Sequence, residues 1–161
     1  GIWGYEKPDD TSSVKSRTGF MIQVNKCPIS WTSKLQTEIA LSTMEAEYLA
    51  LSTEMRDLIP MMDIIKEVFN SVGLKQVDEP SIVSTVWEDN NGALTLGNLD
   101  PPRMTPRSKH YSLKYHWFRD KLIKYNIELR KVSTVDQLAD ILTKALGKLK
   151  FRDLRKRLLG W

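Results

Sequence analysis

The sequence predicts an α/β protein in which a mixed β-sheet carries helices on its faces. Three observations predict it. Two β-like runs flank Asn25-Lys26 and read as a hairpin. Apolar residues recur at steps of three and four from Tyr48 to Phe69 and read as a long amphipathic helix. Two later β-rich runs, 82–87 and 127–132, are separated by helical patterns. A hairpin followed by strands with helical crossovers needs strands of both directions in one sheet.

The elements follow in chain order. Residues 5–18 are polar and turn-rich. Phe20, Ile22 and Val24 alternate with Met21, Gln23 and Asn25 as the first strand of the hairpin, and Ile29, Trp31 and Leu35 mark the returning strand. Ser42-Thr43-Met44-Glu45 is a capping-box pattern, a hydroxyl for the first orphan N–H groups and a Glu three residues on to reciprocate. The helix behind it carries Tyr48, Leu51, Met55, Leu58, Met62, Ile65 and Phe69 as one stripe. Pro60 is expected to kink or interrupt it, and Gly73 to stop it. Ile82, Val83, Thr85, Val86 and Trp87 read as a buried central strand, ended by Asp89-Asn90-Asn91-Gly92. A short helix at about 91–97, a loop at Pro101, Pro102 and Pro106, and a helix from about Ser108 to Tyr125 come next. Ile127, Leu129 and Val132 form the last strand. Ser133 to Asp136 resembles a cap for a final helical region running to about Leu159, broken at Gly147.

Length and composition bound the rest. The 161 residues suit a single domain, 1–161, and 41% hydrophobic with 27% charged residues is the range of an ordinary globular chain rather than a disordered one. One cysteine, Cys27, excludes an internal disulfide. No apolar run approaches the roughly 18–20 residues that span a bilayer, so no membrane partner is expected. Gly1-Ile2-Trp3-Gly4, without an initiator methionine, reads as a cut from a longer chain.

Charge is segregated. Residues 1–100 hold 8 Lys and Arg against 15 Asp and Glu, whereas residues 101–161 hold 16 against 5. An acidic part joined to a basic part suits a protein that brings cations and a polyanion together. Residues 144–159 form a basic amphipathic C-terminal helix, with seven basic residues from Lys144 to Arg157 and Phe151, Leu154 and Leu158 on its apolar face.

Three carboxylates stand at informative places. Glu47 lies in the first turns of the long helix, Asp89 just past the carboxyl end of a strand, and Asp140 near the start of the last helical region. Ligands of open α/β sheets gather beyond the carboxyl ends of strands, and converging carboxylates there would need cations. Each also has an ordinary role. Glu47 suits a helix N-terminus, Asp89 opens a turn with Asn90 and Asn91, and Asp140 pairs with Lys144 at the i,i+4 spacing. Spacing alone does not decide between these.

A family resemblance bears on that choice. Ser30-Trp31-Thr32-Ser33-Lys34, the run Ala40 to Leu51 with its Glu45-Ala46-Glu47-Tyr48, Glu88-Asp89-Asn90-Asn91-Gly92-Ala93, the run Arg107 to Arg119, and Asp136-Gln137-Leu138-Ala139-Asp140-Ile141-Leu142-Thr143-Lys144 resemble, in order and spacing, the ribonuclease H-like domain of copia-type retrotransposon Pol polyproteins, which lies C-terminal to the reverse transcriptase. The resemblance runs from about Ser16 to Leu158. It implies a ribonuclease H-like fold, a five-stranded mixed sheet with flanking helices. It also implies metal-dependent hydrolysis of the RNA strand of RNA–DNA hybrids by four carboxylates and two Mg²⁺ ions, for which Mn²⁺ substitutes. Three carboxylates carry over as catalytic and metal-holding residues: Glu47, with Glu45 as its rival, Asp89 and Asp140. Asn90, Arg107, Lys109 and His110 are candidate substrate contacts, His110 because it lies beside the basic Arg107 and Lys109; Lys114 and Lys121 share His110's side of its helix, while His116 reads as a surface or half-buried histidine. The implied partners are the hybrid and the upstream reverse transcriptase domain, and the implied setting is a cytoplasmic virus-like particle or the nucleus. The chain departs from the pattern at its start. The family's first strand, with its Asp-Ala-Asp segment, is expected wholly or partly upstream of Gly1, and Asp9 and Asp10 fall in the loop that follows it. The expectation is therefore a nuclease domain or, without the first aspartate, an inactive nucleic-acid-binding module. An unrelated helical scaffold is a third reading, which requires the three carboxylates to lie far apart.

Overall fold

A computed structural model describes residues 15–73, 82–98 and 112–160. The chain is mixed α/β, with four strands and five helices among the described residues. It divides into two compact units, one of residues 1–51 with 132–161 and the other of residues 52–131.

The first unit is built on the hairpin. Strands β1 (Arg17–Val24) and β2 (Cys27–Leu35) pair antiparallel. Asn25 and Lys26 between them both have positive φ, 50° and 67°, the type I′ geometry that matches the twist of the flanking strands. Phe20 opposes Thr32 and Ile22 opposes Ser30, whereas Met21 opposes Trp31. Phe20 and Ile22 are buried, but Ile29, Trp31 and Leu35 are exposed. The apolar phase of the returning strand therefore lies on the face opposite Phe20 and Ile22, where Trp31 borders a cavity lined by Ile141, Leu142, Leu158 and Leu159. Gln36, just past β2, donates from its amide to Thr18 Oγ1 at 3.1 Å and to the Ala46 carbonyl at 2.8 Å, which pins the start of helix α1 (Thr43–Ser71) to the hairpin.

The α1 N-terminus is capped much as expected. The Glu45 N–H donates to Ser42 Oγ at 3.1 Å, and the Glu45 carboxylate accepts from the Leu41 N–H at 2.9 Å, one residue earlier than the usual box. The apolar stripe is buried at Tyr48, Leu51, Met55, Leu58 and Met62. Pro60 does not interrupt the helix, which stays continuous over 29 residues. The proline forgoes one backbone bond, and buried Leu58, Ile59 and Met62 around it hold the register. The helix ends at Ser71, and Gly73 beyond it takes a positive φ of 75°.

The first unit is completed by two C-terminal helices, α4 (Asp140–Thr143) and α5 (Lys148–Leu159). Ser133 to Asp136 forms a turn, with the Asp136 N–H on the Ser133 carbonyl at 2.8 Å, rather than the cap of a long helix. The expected final helix is thus a four-residue piece and a twelve-residue piece, and Gly147 stands at the N-cap of the second. Gly19 lets α4 lie close on β1: a Cβ there would meet the Thr143 methyl group and come within 3.0 Å of Leu142 Cβ. Ser33 Oγ donates to the Leu142 carbonyl at 2.6 Å from the neighbouring strand.

In the second unit, β3 (Ser84–Glu88) pairs in parallel with β4 (Ile127–Lys131) through a crossover containing α2 (Asn91–Asn98) and α3 (Ser112–Lys124). Val86, Ala93, Phe118, Leu122 and Ile127 form its core. Arg56 lies over the Trp117 ring at 5.9 Å, and the Tyr125 hydroxyl donates to Asp63 at 3.4 Å, joining the second part of α1 to α3 and the turn after it. β3 is not buried on both faces as expected. Val86 and Glu88 point inward while Val83 before it and Trp87 within it are exposed. Among the described residues the strands make two separate pairs, β1–β2 and β3–β4, because no hydrogen-bonded strand is common to both. The single mixed sheet expected from the sequence is not formed by these residues. The expected missing first strand falls outside the described residues.

Candidate functional site

Of the three sequence-predicted carboxylates, Asp140 is held by two lysines. It opens α4 after the turns of 134–139, and its side chain is 4% exposed. Lys144 Nζ donates to Oδ1 at 2.6 Å, one turn along the chain. Lys150 Nζ, from the first turn of α5, donates to Oδ2 at 2.8 Å and to the Thr134 carbonyl at 3.1 Å. Both lysines are about one-third exposed, at 33% and 34%. The carboxylate is thus buried while its counter-charges keep access to water. Leu154, fully buried, and the Arg157–Asp136 pair at 3.0 Å secure the later turns of α5.

Glu47 belongs to the same unit. It is half-buried on α1, between buried Ala46 and Tyr48. Its rival Glu45 spends one carboxylate oxygen on the helix cap.

Asp89 belongs to the second unit and is half-buried directly after β3. Its neighbour Asn90 accepts the Ala93 N–H on Oδ1 at 3.0 Å and so caps α2. The Asn90 N–H in turn donates to Glu88 Oε1 at 2.7 Å. Arg107, Lys109 and His110 lie outside the described residues. Glu47 and Asp140 therefore fall in one unit and Asp89 in the other. Within neither unit do the described residues gather three or more His, Cys, Asp or Glu side chains in position to hold a metal ion.

The second unit also contains an acidic pair that the motifs did not reveal. Burial of Glu54, and secondarily the nearby Glu88 carboxylate, push the Glu54 carboxyl up to about 8. Both positions carried a signal. Glu54 lies three residues after Leu51 and four before Leu58, on the apolar stripe of α1, and Glu88 is two residues after Val86 on the inward phase of β3.

As donors, Glu47, Asp89 and Asp140 are hard oxygen ligands, the kind that Mg²⁺ takes. Asp140 is moreover a buried carboxylate that already holds two positive charges. In donor chemistry these residues fit a divalent ion.

Fold and site together define a small mixed α/β chain with a buried, cation-holding aspartate beside a basic C-terminal helix. The chain is homologous to one region of retrovirus-related Pol polyproteins from plant transposons. It is 34% identical over 160 residues to that from transposon TNT 1-94 of Nicotiana tabacum, covering 98% of this chain and 11% of the relative. Against those from transposons RE2 and RE1 of Arabidopsis thaliana it is 32% identical over 149 residues and 30% over 156, covering 92% and 97% of this chain and 10% of each relative. It thus spans about a tenth of the length of these curated relatives, and they support its reading as a copia-type Pol polyprotein region. No protein-family model and no solved structure matches it. Among the described residues, no helix is long and apolar enough to cross a membrane.

Proposed function

We propose that this chain is the ribonuclease H-like region of a retrotransposon Pol polyprotein, acting on the RNA strand of RNA–DNA hybrids. The observation that carries the proposal is homology to Pol polyproteins along nearly the whole chain, with the Glu47, Asp89 and Asp140 motifs in the expected order. In this reading Glu47, Asp89 and Asp140 are each assigned as Mg²⁺ ligands, and the ion when bound would supply charge stabilisation and an activated water for phosphodiester hydrolysis. The chain's own part is to present the carboxylates and to hold the hybrid. Arg107, Lys109 and His110 are assigned to substrate phosphates, while Asn90 acts through its cap on α2, which orients the segment following Asp89. The reverse transcriptase domain of the same polyprotein is the proposed neighbour.

The test is cleavage of a labelled RNA–DNA hybrid with Mg²⁺ by a Pol polyprotein segment containing this chain and its upstream neighbour. Asp89→Asn should reduce the rate by at least about a hundredfold. Unchanged cleavage by Asp89→Asn removes the assignment.

A second reading is a hybrid-binding module that does not cleave. The lysine partners on both oxygens of Asp140 favour it. It predicts salt-sensitive hybrid binding with no Mg²⁺-dependent turnover.

A further inference from the structure

We propose that Lys144 and Lys150 form an ammonium clamp that keeps Asp140 closed to a divalent cation and couples cation entry to loosening of the first turns of α5. The inference rests on the reading of Asp140 as a cation-holding carboxylate and adds two residues and one helix to it.

Three observations carry it. The Asp140 oxygens each accept an ammonium, from Lys144 at 2.6 Å and Lys150 at 2.8 Å, so a divalent ion bonded to either oxygen stands beside a like charge and repels it. Two ammoniums bring the charge of one divalent ion, so the exchange leaves the buried carboxylate with the same electrostatic compensation. The accessibilities set the direction of exchange: the Asp140 side chain is 4% exposed and cannot recover water, whereas lysines at 33% and 34% exposure can swing their ammonium groups into it.

The two lysines differ in consequence. Lys144 stands at the C-cap of α4, and its pair with Asp140 lies within that single turn. Lys150 belongs to α5, and its ammonium also holds the Thr134 carbonyl at 3.1 Å. Its departure removes two polar ties from the beginning of α5. The end of that helix keeps buried Leu154 and the Arg157–Asp136 pair. Cation entry therefore loosens the beginning of α5 and spares its end.

Calorimetric Mg²⁺ titration of the 161-residue chain, its Lys150→Met and Lys150→Arg variants, and Asp140→Asn tests this, together with hydrogen exchange on the parent chain. Lys150→Met should bind Mg²⁺ roughly tenfold more tightly than the parent, the equivalent of one favourable ion pair. Lys150→Arg, which keeps the charge, should bind like the parent, and Asp140→Asn should lose the binding. On the unmutated chain, Mg²⁺ should speed exchange of the amides of residues 151–153 and leave those of 155–159 unchanged. Parental binding with Lys150→Met unchanged or weaker, or binding with unaltered exchange at 151–153, overturns the clamp and leaves the carboxylate assignment standing. Failure of both the folded parent and folded Lys150→Met to bind millimolar Mg²⁺ overturns that assignment and the clamp with it.

Discussion

At the scale of single residues, buried charge is the deciding quantity, and the two units handle it differently. In the first unit Asp140 is compensated by two lysines. Asp140→Asn removes the counter-charge and leaves an acceptor for only one of the two lysines, but the lysines are exposed enough to be rehydrated, so the expected cost is about 2 kcal/mol, read as a lower urea midpoint. In the second unit Glu54 meets another acid. Its carboxyl titrates near 8 in the fold against an ordinary value of 4.5, so between those values the folded state binds more protons than the unfolded chain. The Glu54 contribution to stability is therefore fully present below about pH 4.5 and is lost as pH rises toward 8. Glu54→Gln, which is always neutral, should match the parent near pH 4 and exceed it by up to about 5 kcal/mol at pH 9, measured by urea unfolding across pH. An unchanged difference between those two pH values would show that Glu54 ionises freely in the fold. The three motif acids and the Asp140–Lys144 spacing were legible in the sequence. Lys150 was not, because its reach to Asp140 depends on how the chain turns between Thr143 and Lys148. Glu54 and Glu88 were legible in principle, since both occupy inward phases, but apolar periodicity by itself does not single out the polar residues that share it.

At the scale of elements, Pro60 and Gly19 show how packing overrides or exploits local preference. Pro60 sits inside a continuous α1 and leaves one carbonyl, four residues earlier, without its helical partner. Restoring the N–H with Pro60→Ala at this exposed position should raise stability by about 1–3 kcal/mol, measured by thermal or urea unfolding. A decrease would mean that the fixed φ of the proline ring stabilises the helix more than the missing hydrogen bond costs it. Gly19 acts in the opposite sense. A methyl group there meets Thr143 and the Leu142 Cβ, so Gly19→Ala should cost about 1–3 kcal/mol and loosen α4 from the hairpin, seen as faster hydrogen exchange at 140–144. The hairpin, the α1 cap and the order of the later elements were readable because they rest on local chemistry: turn residues, a hydroxyl cap, a periodic stripe. The pairing of strands was not. Which strand hydrogen-bonds to which depends on contacts between distant segments, and the described residues form two pairs where the pattern had suggested one sheet.

At the scale of the whole molecule, charge distribution gives the proposed function its most direct physical test. The basic residues of the last third of the sequence include six on α5: Lys148, Lys150, Arg152, Arg155, Lys156 and Arg157. These serve two purposes. Lys150 and Arg157 are committed to Asp140 and Asp136, whereas Arg152 and Lys156 are exposed on the helix. A polyanion bound here would engage the exposed pair without disturbing the ties that hold the helix. Arg152→Glu/Lys156→Glu should therefore weaken binding of an RNA–DNA hybrid while leaving the unfolding midpoint nearly unchanged. Each lost phosphate contact should also reduce the slope of log affinity against log salt by about 0.7–0.9. Fluorescence anisotropy between low and moderate salt measures both quantities. A smaller slope identifies these side chains as phosphate contacts. Weaker binding with the parent's slope assigns the effect to the repulsive field of the new glutamates, and parental affinity with the parental slope moves the hybrid off α5, leaving that helix its packing role alone.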